Sequence, residues 1–331
     1  FAIRFQPADA RSPSFATPMA YLERCLTGSW RFVIPLVAGL LLIHGVVLAN
    51  LVQSNSLAQA VHNRFGVPDF LIALVVTACV SLLIFGGMRR IVDVISLIAP
   101  WIILLYVGSG LVVLILHPLD TLASLALVFQ CAFTPHAVAG GVMGYGVLQA
   151  MQFGVSRGIF SHMSGLGTGA FFQSANEEEP AKGAFMAAMT PFVDTMIVCS
   201  VTGLVILASP YWMDLTGAHL TLASFSYGLG PMGEGVVMLS LVVFAFTTIV
   251  AFAHVSERCF KYLGGNNVFA YRVFFVSVTF LGPFLNLGFV WSLSDIIIAA
   301  LILAHTLPLL NVTVTNLRSL NRDLESYCKD D

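Results

Sequence analysis

"GVSRGIFSHMSGLGTGAFFQSANEEEP", from Gly154 to Pro180, is a mostly apolar stretch that holds five glycines, three of them within SGLGTG at 164–169. Each glycine costs a helix about 1 kcal/mol relative to alanine, and inside lipid every freed N–H and C=O needs another partner. An interruption at membrane depth is tolerated where it is buried in protein or lines a wet cavity. The stretch therefore predicts a discontinuous helix at a binding site, with the hydroxyls of Ser161, Ser164 and Thr168 beside the freed backbone groups. Small residues also let two helices pack closely, and that alternative stays open on the sequence alone.

The whole chain has the composition of an all-α polytopic membrane protein. Of its 331 residues, 58% are hydrophobic and only 10% are charged, against about 25% charged in soluble domains. A helix needs about 20 apolar residues to cross the hydrocarbon core. The sequence predicts one transmembrane domain, 1–331, with a cytoplasmic loop at 1–30 and a cytoplasmic tail at 313–331. The eight spans predicted between them are 31–53, 68–86, 94–117, 140–175, 184–209, 235–262, 268–288 and 291–312.

The distribution of positive charge predicts the orientation of these spans. Loops on the cytoplasmic side of a membrane are enriched in Lys and Arg. If the N-terminus is inside, all of the 15 Lys and Arg residues fall on the inner side except Arg64 and Arg157. Arg64 falls outside, and Arg157 lies within the fourth span. We therefore expect a multi-pass protein of the cytoplasmic membrane with both ends of this chain in the cytoplasm.

The residues give no support to several other classes of function. The net charge is only −2, so nothing indicates a nucleic-acid partner. There is no Ser/His/Asp pattern, no pair of catalytic carboxylates and no phosphate-binding loop. The chain is predicted not to be an enzyme and to use no cofactor.

Asp194, in TPFVDTMIVCS (190–200), places a carboxylate in the middle of an apolar span. Such a charge costs a few kcal/mol in lipid and faces a partner or a polar cavity. Together with Thr195, Asp194 is predicted to form a cation or proton site. The alternative is a structural ion pair, for which Arg157 is the obvious partner within the membrane.

Thr247 and Thr248 lie in the middle of the sixth span, within VVFAFTTIVAFAHVSER (242–258). Hydroxyl oxygens suit hard cations. A threonine in a membrane helix also often bonds to a carbonyl of its own helix. Without other observations, the residues favour this second interpretation.

Several segments resemble the sodium:alanine (or glycine) symporter family, in the same order along nearly the whole chain. GVSRGIFSHMSGLGTGAFFQSA is similar to the family's Gly-Val-Ala-Arg-Gly-Leu-Phe-Ser-Asn-Glu-Ala-Gly-Leu-Gly-Ser-Ala motif. FVDTMIVCSVTGLVIL, FAFTTIVAF, LVQSNSLAQAV, FTPHAVAGGVMG and VWSLSDI also resemble family segments. The chain departs from the family where His162 and Met163 replace Asn-Glu, and where Phe252 replaces the usual Trp.

The resemblance implies a leucine-transporter-type helix bundle built from two inverted five-helix repeats. The eight spans would be the last three helices of the first repeat and all five of the second. The glycine-rich helix would open the second repeat. Its broken counterpart in the first repeat would belong to an N-terminal segment before Phe1.

The same resemblance implies roles for individual residues. The amino-acid pocket would be lined by Phe160, Ser161, Ser164, Gly165, Asn50, Gln53 and Phe252. Asp194 would help to bind one sodium ion, and Thr247 and Thr248 would bind a second.

The sequence thus predicts a secondary transporter that couples sodium entry to the uptake of a small neutral amino acid, alanine or glycine. Its partners would be that amino acid, sodium and the lipid bilayer. Two alternatives remain open. One is a non-transporting truncated remnant or one half of a split transporter, and the other is a proton-coupled amino acid transporter.

Overall fold

The protein is helical almost throughout the residues that the computed structural model describes, which are 17–26, 28–86, 88–133, 142–173 and 180–327. In chain order the α-helices are α1 (Pro18–Cys25), α2 (Val33–Ile43), α3 (Asn50–Phe65), α4 (Asp69–Phe85), α5 (Met88–Leu116), α6 (Pro118–Phe133), α7 (Val142–His162), α8 (Gly169–Gln173), α9 (Pro180–Phe192), α10 (Ser200–Ala208), α11 (Gly217–Leu229), α12 (Pro231–Tyr262), α13 (Val268–Leu281) and α14 (Leu287–Tyr327). Short 3₁₀ turns at Gly28–Phe32 and Gly282–Phe284 precede α2 and follow α13.

Five of the described helical stretches are long and apolar enough to cross a membrane. They are Trp30–Phe65, Leu97–Leu116, Phe185–Ala208, Pro231–Tyr262 and Leu287–Val314. Three shorter apolar helices are Asp69–Phe85, Pro118–Phe133 and Val268–Phe284. The prediction of a polytopic all-α membrane protein is confirmed, while the count of eight spans and the inverted repeat stay predictions.

Four predicted boundaries differ from the helices observed. The first span was expected to end at 53, but its helix continues to Phe65. Residues 118–133, expected as part of a connection, form α6. The sequence did not predict this helix because His117 and Asp120 interrupt the apolar run, which is then too short for a span. α14 runs past the expected end of the last span, at 312, to Tyr327. Within the predicted loop 1–30, Pro18–Cys25 is helical.

Some predictions fall on residues outside the described ranges. These are most of the N-terminal loop, the NEEE of the turn before α9, the middle of FTPHAVAGGVMG and the last four residues of the tail.

α12 is the central helix of the bundle. It packs against α2, α3, α5, α11 and α13. α14 packs against α2 and α7, and one buried apolar cluster joins α1, α2, α12 and α14 to Leu166 in the glycine-rich stretch. The interrupted segment is therefore seated in the protein interior on one side.

Two π-helical segments interrupt the α-helical register. The first, His44–Ala49, joins α2 to α3, and the second, Val193–Cys199, joins α9 to α10. Pro191 lies two residues before the second segment. Proline lacks the N–H that would bond to the carbonyl four residues earlier, which explains a change of register at this point. Short π segments inside α-helices are frequent at functional sites.

Close packing of the first π segment on α12 gives a test of the bundle. A Cβ at Gly45 would lie 2.8 Å from Ser256 Cβ and 2.9 Å from the Phe252 carbonyl oxygen. We expect Gly45→Ala to lower the free energy of unfolding in detergent by about 1–3 kcal/mol, because the two helices must separate. Gly39→Ala on α2, where no atom lies within 4 Å of the added carbon, should be neutral or slightly stabilising. Equal effects of the two substitutions would contradict this packing.

Candidate functional site

The glycine-rich stretch is an interrupted helix, as its composition predicts. α7 ends at His162 and α8 begins at Gly169, and the residues between them are not helical. Gly165 and Gly167 have φ values of +83° and +82°, which glycine adopts without steric cost. Met163 also has a positive φ, +53°, which is uncommon for a residue with a side chain. We call residues 163–168 the break.

Two of the carbonyls that the break frees are bound by protein side chains. The hydroxyl of Thr168 donates to the Met163 carbonyl at 3.2 Å. The Gly165 carbonyl accepts from Nδ1 of His305 at 2.6 Å and from the hydroxyl of Thr306 at 3.1 Å. Protein side chains therefore supply the partners that these two carbonyls need. Their partners satisfy them as a low-dielectric interior requires.

Asp194 meets the end of α7 just before the break. The hydroxyl of Ser161 donates to Oδ2 of Asp194 at 2.5 Å. The Sγ of Cys199 lies 3.9 Å from the same oxygen and 3.4 Å from the Ser161 hydroxyl. Both Asp194 and Cys199 belong to the second π segment. Ser161 and Asp194, which are far apart in sequence, therefore form one site.

The same π segment contains a hydroxyl without a partner. Oγ1 of Thr195 is buried and makes no hydrogen bond. A buried unsatisfied hydroxyl costs about 1–3 kcal/mol, so a ligand that it could contact would be favoured. Asp194 and Thr195 in this segment, together with Ser161 at the end of α7, which contacts Asp194, supply one carboxylate and two hydroxyls, hard oxygen donors of the kind that suits alkali and alkaline-earth cations. We call these three residues the oxygen cluster.

The alternative that Arg157 pairs with Asp194 is wrong. Nη1 of Arg157 lies 2.8 Å from Oδ1 of Asp295 on α14, and Ser156 donates to the same oxygen at 2.7 Å. The guanidinium also lies over the ring of Trp291, 3.9 Å from its centroid. Asp295 lies within VWSLSDI, and the argument applied to Asp194, a carboxylate in an apolar span, also applies to it. Sequence reasoning missed this residue although the signal was present.

Phe160 and Phe252, both predicted to line the amino-acid pocket, lie in the same apolar cluster. The ring of Phe160 packs edge-on against Trp291, with centroids 4.8 Å apart. The ring of Phe252 is 5% exposed and packs against His44 at 5.1 Å. Ser164 and Gly165, which lie within the break, are exposed.

Asn50 and Gln53 belong to α3, whose Leu51 and Val52 pack in one apolar cluster with Phe160 and Trp291. The side-chain amide of Asn50 donates to the Phe275 carbonyl at 2.9 Å and accepts from the Thr279 hydroxyl at 2.8 Å. Asn50 is completely buried, so its amide ties α3 to α13. Gln53 is half-buried. Both ends of the Asn50 amide are engaged in helix packing, and the assignment of Asn50 and Gln53 to the amino-acid pocket stays a prediction.

Thr247 and Thr248 lie in the middle of α12. The hydroxyl of Thr247 donates to the Val243 carbonyl of its own helix at 2.6 Å. This is the interpretation that the residues alone favoured. Thr248 is half-buried in the same turn, and its assignment to a second sodium ion stays a prediction.

Within the described residues, no group of three or more His, Cys, Asp or Glu side chains is placed to hold a metal ion. The oxygen cluster has a different character, with one carboxylate and neutral hydroxyls. Low charge and oxygen ligands match a weakly held monovalent cation better than a tightly bound transition metal.

Comparison with known proteins identifies relatives along almost the whole chain. The family model described as the sodium:alanine symporter family matches residues 1–329. An uncharacterized transporter of Haemophilus influenzae is 35% identical over 89% of this chain and 66% of its own length. The sodium/alanine symporter AgcS of Methanococcus maripaludis is 32% identical over 99% of this chain and 74% of its own length. A putative sodium/proton-dependent alanine carrier protein of Bacillus subtilis, YrbD, is 29% identical over 84% of this chain and 60% of its own length.

The chain thus spans about two thirds of the length of the relatives it matches. These relatives are named as transporters, symporters and carriers, not as enzymes. The match of the family model to residues 1–329 is independent of the helix geometry, and both agree with an apolar, all-helical protein that has an interrupted helix. The chain belongs to the sodium:alanine symporter family.

Proposed function

We propose that this chain mediates sodium-coupled symport of a small neutral amino acid, alanine first and glycine second, across the cytoplasmic membrane. The observation that carries the proposal is the contact of Ser161, on the last turn before the break, with Asp194 in the second π segment. A helix interrupted at membrane depth gives a polar solute backbone and hydroxyl groups to bind. A carboxylate at the same place gives a cation a counter-charge.

The contact between Ser161 and Asp194 suggests how the two solutes are coupled. A sodium ion at Asp194 would compete with the Ser161 hydroxyl for Oδ2 of the carboxylate. Ser161 would then be released toward the substrate side or would join the ligands of the ion. A ligand shifts a conformational equilibrium only through its different affinity for the two states, and this exchange of partners supplies such a difference.

The proposed amino-acid pocket lies at the break, between Phe160, Ser161, Ser164, Gly165 and Phe252. The two aromatic rings limit the size of the side chain that fits, which favours alanine and glycine. The exposed Ser164 and Gly165 provide polar groups for the amino and carboxyl groups of the substrate. The relative named as a sodium/alanine symporter supports the choice of alanine.

Proton coupling is the second candidate, because YrbD carries a name that includes both ions. A carboxylate such as Asp194 can bind a proton in place of sodium. Asp194 would then bind either coupling ion at the same place. Sodium and proton coupling are therefore distinguished by measuring which ion gradient drives uptake, and not by the position of the site.

Uptake of labelled alanine in cells that express the reading frame containing this chain tests the proposal. We expect uptake to fall at least about tenfold when choline replaces sodium at constant pH, since the ion gradient drives transport. A pH jump in the absence of sodium should produce no uptake. Uptake driven by the pH jump alone would mean that the coupling ion is the proton and not sodium. No uptake of any small neutral amino acid under either gradient would contradict the proposed function.

A further inference from the structure

His305 connects the break to a short helix at the start of the described chain. Nδ1 of His305 lies 2.6 Å from the Gly165 carbonyl oxygen, and its Nε2 lies 2.5 Å from the hydroxyl of Tyr21 on α1. His305 is 4% exposed and Tyr21 is 5% exposed. None of the contacts used above for cation or substrate binding involves either nitrogen of this ring.

The direction of the two hydrogen bonds follows from their partners. A carbonyl oxygen can only accept, so Nδ1 of His305 carries the hydrogen that it donates to Gly165. A neutral imidazole carries one hydrogen, so with that hydrogen on Nδ1 its Nε2 can only accept, and the Tyr21 hydroxyl donates to it. The result is a directed chain from the Tyr21 hydroxyl, through a neutral imidazole, to the backbone of the break.

The packing around the ring reinforces this chain. A Cβ at Gly167 would lie 3.0 Å from Nε2 of His305 and 3.1 Å from Cβ of Pro18 on α1. Leu166, between the two glycines, is completely buried in the cluster that includes residues of α1 and α14. The second half of the break is thus fixed against α1 and α14, whereas Ser161 and Ser164 are exposed.

We propose that His305, supported by Tyr21, is a positioning residue for the break: it turns the Gly165 carbonyl away from the solute and so presents the exposed backbone at Ser164 to it. The role of the solute in this statement rests on the proposed function. The positioning itself does not. Because α1 supplies Tyr21 and Pro18, the position of α1 and the geometry of the break change together.

Three substitutions separate the two hydrogen bonds. Tyr21→Phe removes only the phenol hydroxyl. His305→Asn replaces Nδ1 with an amide nitrogen that can still donate to Gly165, and His305→Leu removes both bonds while keeping an apolar side chain. Hydrogen–deuterium exchange of the peptide covering residues 163–173 reports on the break, because the amides of Ala170 and Phe171 bond to the carbonyls of Gly167 and Thr168. A peptide from α4, which packs on α3 and α13, is the internal control for overall folding.

We expect His305→Leu to speed exchange of the Ala170 and Phe171 amides about three- to tenfold, the effect of one or two lost hydrogen bonds. Tyr21→Phe, which loses only the phenol bond, should exchange slightly faster than the parent, and His305→Asn, which keeps a donor to Gly165 but loses the ring nitrogen that contacts Tyr21, should lie between Tyr21→Phe and His305→Leu and within about threefold of the parent. In uptake assays the apparent KM for alanine should rise in the same order, with the maximal rate less affected.

The proposal is overturned if His305→Asn matches His305→Leu, since a purely space-filling role would give no rescue by the donor. It is also overturned if none of the three variants changes exchange in 163–173 while the α4 peptide keeps its protection. If His305→Leu does not fold, the expected order of parent, Tyr21→Phe and His305→Asn, from slowest to fastest exchange, decides. A parent that transports no alanine but shows this order of exchange would refute the proposed function and leave the positioning role intact.

Discussion

Asp194→Asn is expected to weaken the sodium activation of alanine uptake at least about tenfold. Asparagine keeps the size of the side chain and can still accept the hydrogen bond from Ser161, which the structure places 2.5 Å from Oδ2. It removes the single negative charge of the oxygen cluster, and ligand charge sets cation affinity over several orders of magnitude. The measurement is the sodium concentration that gives half-maximal uptake of labelled alanine, at fixed pH and fixed alanine.

Two further variants show whether the charge is responsible. Cys199→Ala removes a sulfur that lies 3.9 Å from the same carboxylate oxygen, and it should leave sodium activation nearly unchanged. Thr195→Val removes the hydroxyl that has no partner. If that hydroxyl binds the ion, Thr195→Val should weaken sodium activation severalfold and stabilise the sodium-free protein, because the unsatisfied group is gone. Unchanged sodium activation in Asp194→Asn would remove Asp194 from the cation site.

The interruption of α7 was predictable from the sequence because its causes are local. Three glycines in SGLGTG lower helix propensity wherever the segment lies, and two of them, Gly165 and Gly167, adopt a φ that other residues rarely reach. Asp194 was likewise identified from one charge in an apolar run. Both signals are read from neighbours in the sequence, so they do not depend on the tertiary fold.

The partners of these groups were not predictable in the same way. Arg157 pairs with Asp295, which is 138 residues away, and nothing in the sequence chooses between Asp295 and Asp194 as its partner. The Gly165 carbonyl is held from α14, 140 residues away. A single sequence shows which polar groups need a partner in lipid. The fold decides which partner each one receives.

These partners show that α14 contacts the chain both at the end of α7 and within the break. Before it, Asp295 binds Arg157, and Trp291 packs on Phe160. Within it, His305 and Thr306 bind the Gly165 carbonyl. We expect a movement that opens the proposed pocket to change at least one of these two sets of contacts.

The second large effect is expected at the ion pair before the break. Arg157→Ala should lower the free energy of unfolding in detergent by about 1–3 kcal/mol, because it leaves the Asp295 carboxylate with only the Ser156 hydroxyl as a partner. This expected loss of stability is smaller than for a fully buried ion pair, since the side chains of Arg157 and Asp295 are 32% and 20% exposed. Asp295→Asn should cost less than Arg157→Ala, because the guanidinium keeps its position 3.9 Å from the centroid of Trp291 and a cation–π contact is worth about 0.5–2 kcal/mol.

The pair between Arg64 and Glu234 is the matched control for this asymmetry. Its charged atoms are 2.7 Å apart, as close as those of Arg157 and Asp295, but Arg64 is 47% exposed. Arg64→Ala should therefore cost less than about 1 kcal/mol, as is usual for surface ion pairs.

A double-mutant cycle over Arg157→Ala and Asp295→Asn should give a coupling energy of about 1 kcal/mol or more, because each residue is the main partner of the other. A coupling energy near zero, or an Arg64→Ala effect as large as that of Arg157→Ala, would mean that the contact between α7 and α14 depends on Trp291 and Phe160 rather than on charge. The break would then be held from α14 by His305 and Thr306 and by apolar packing.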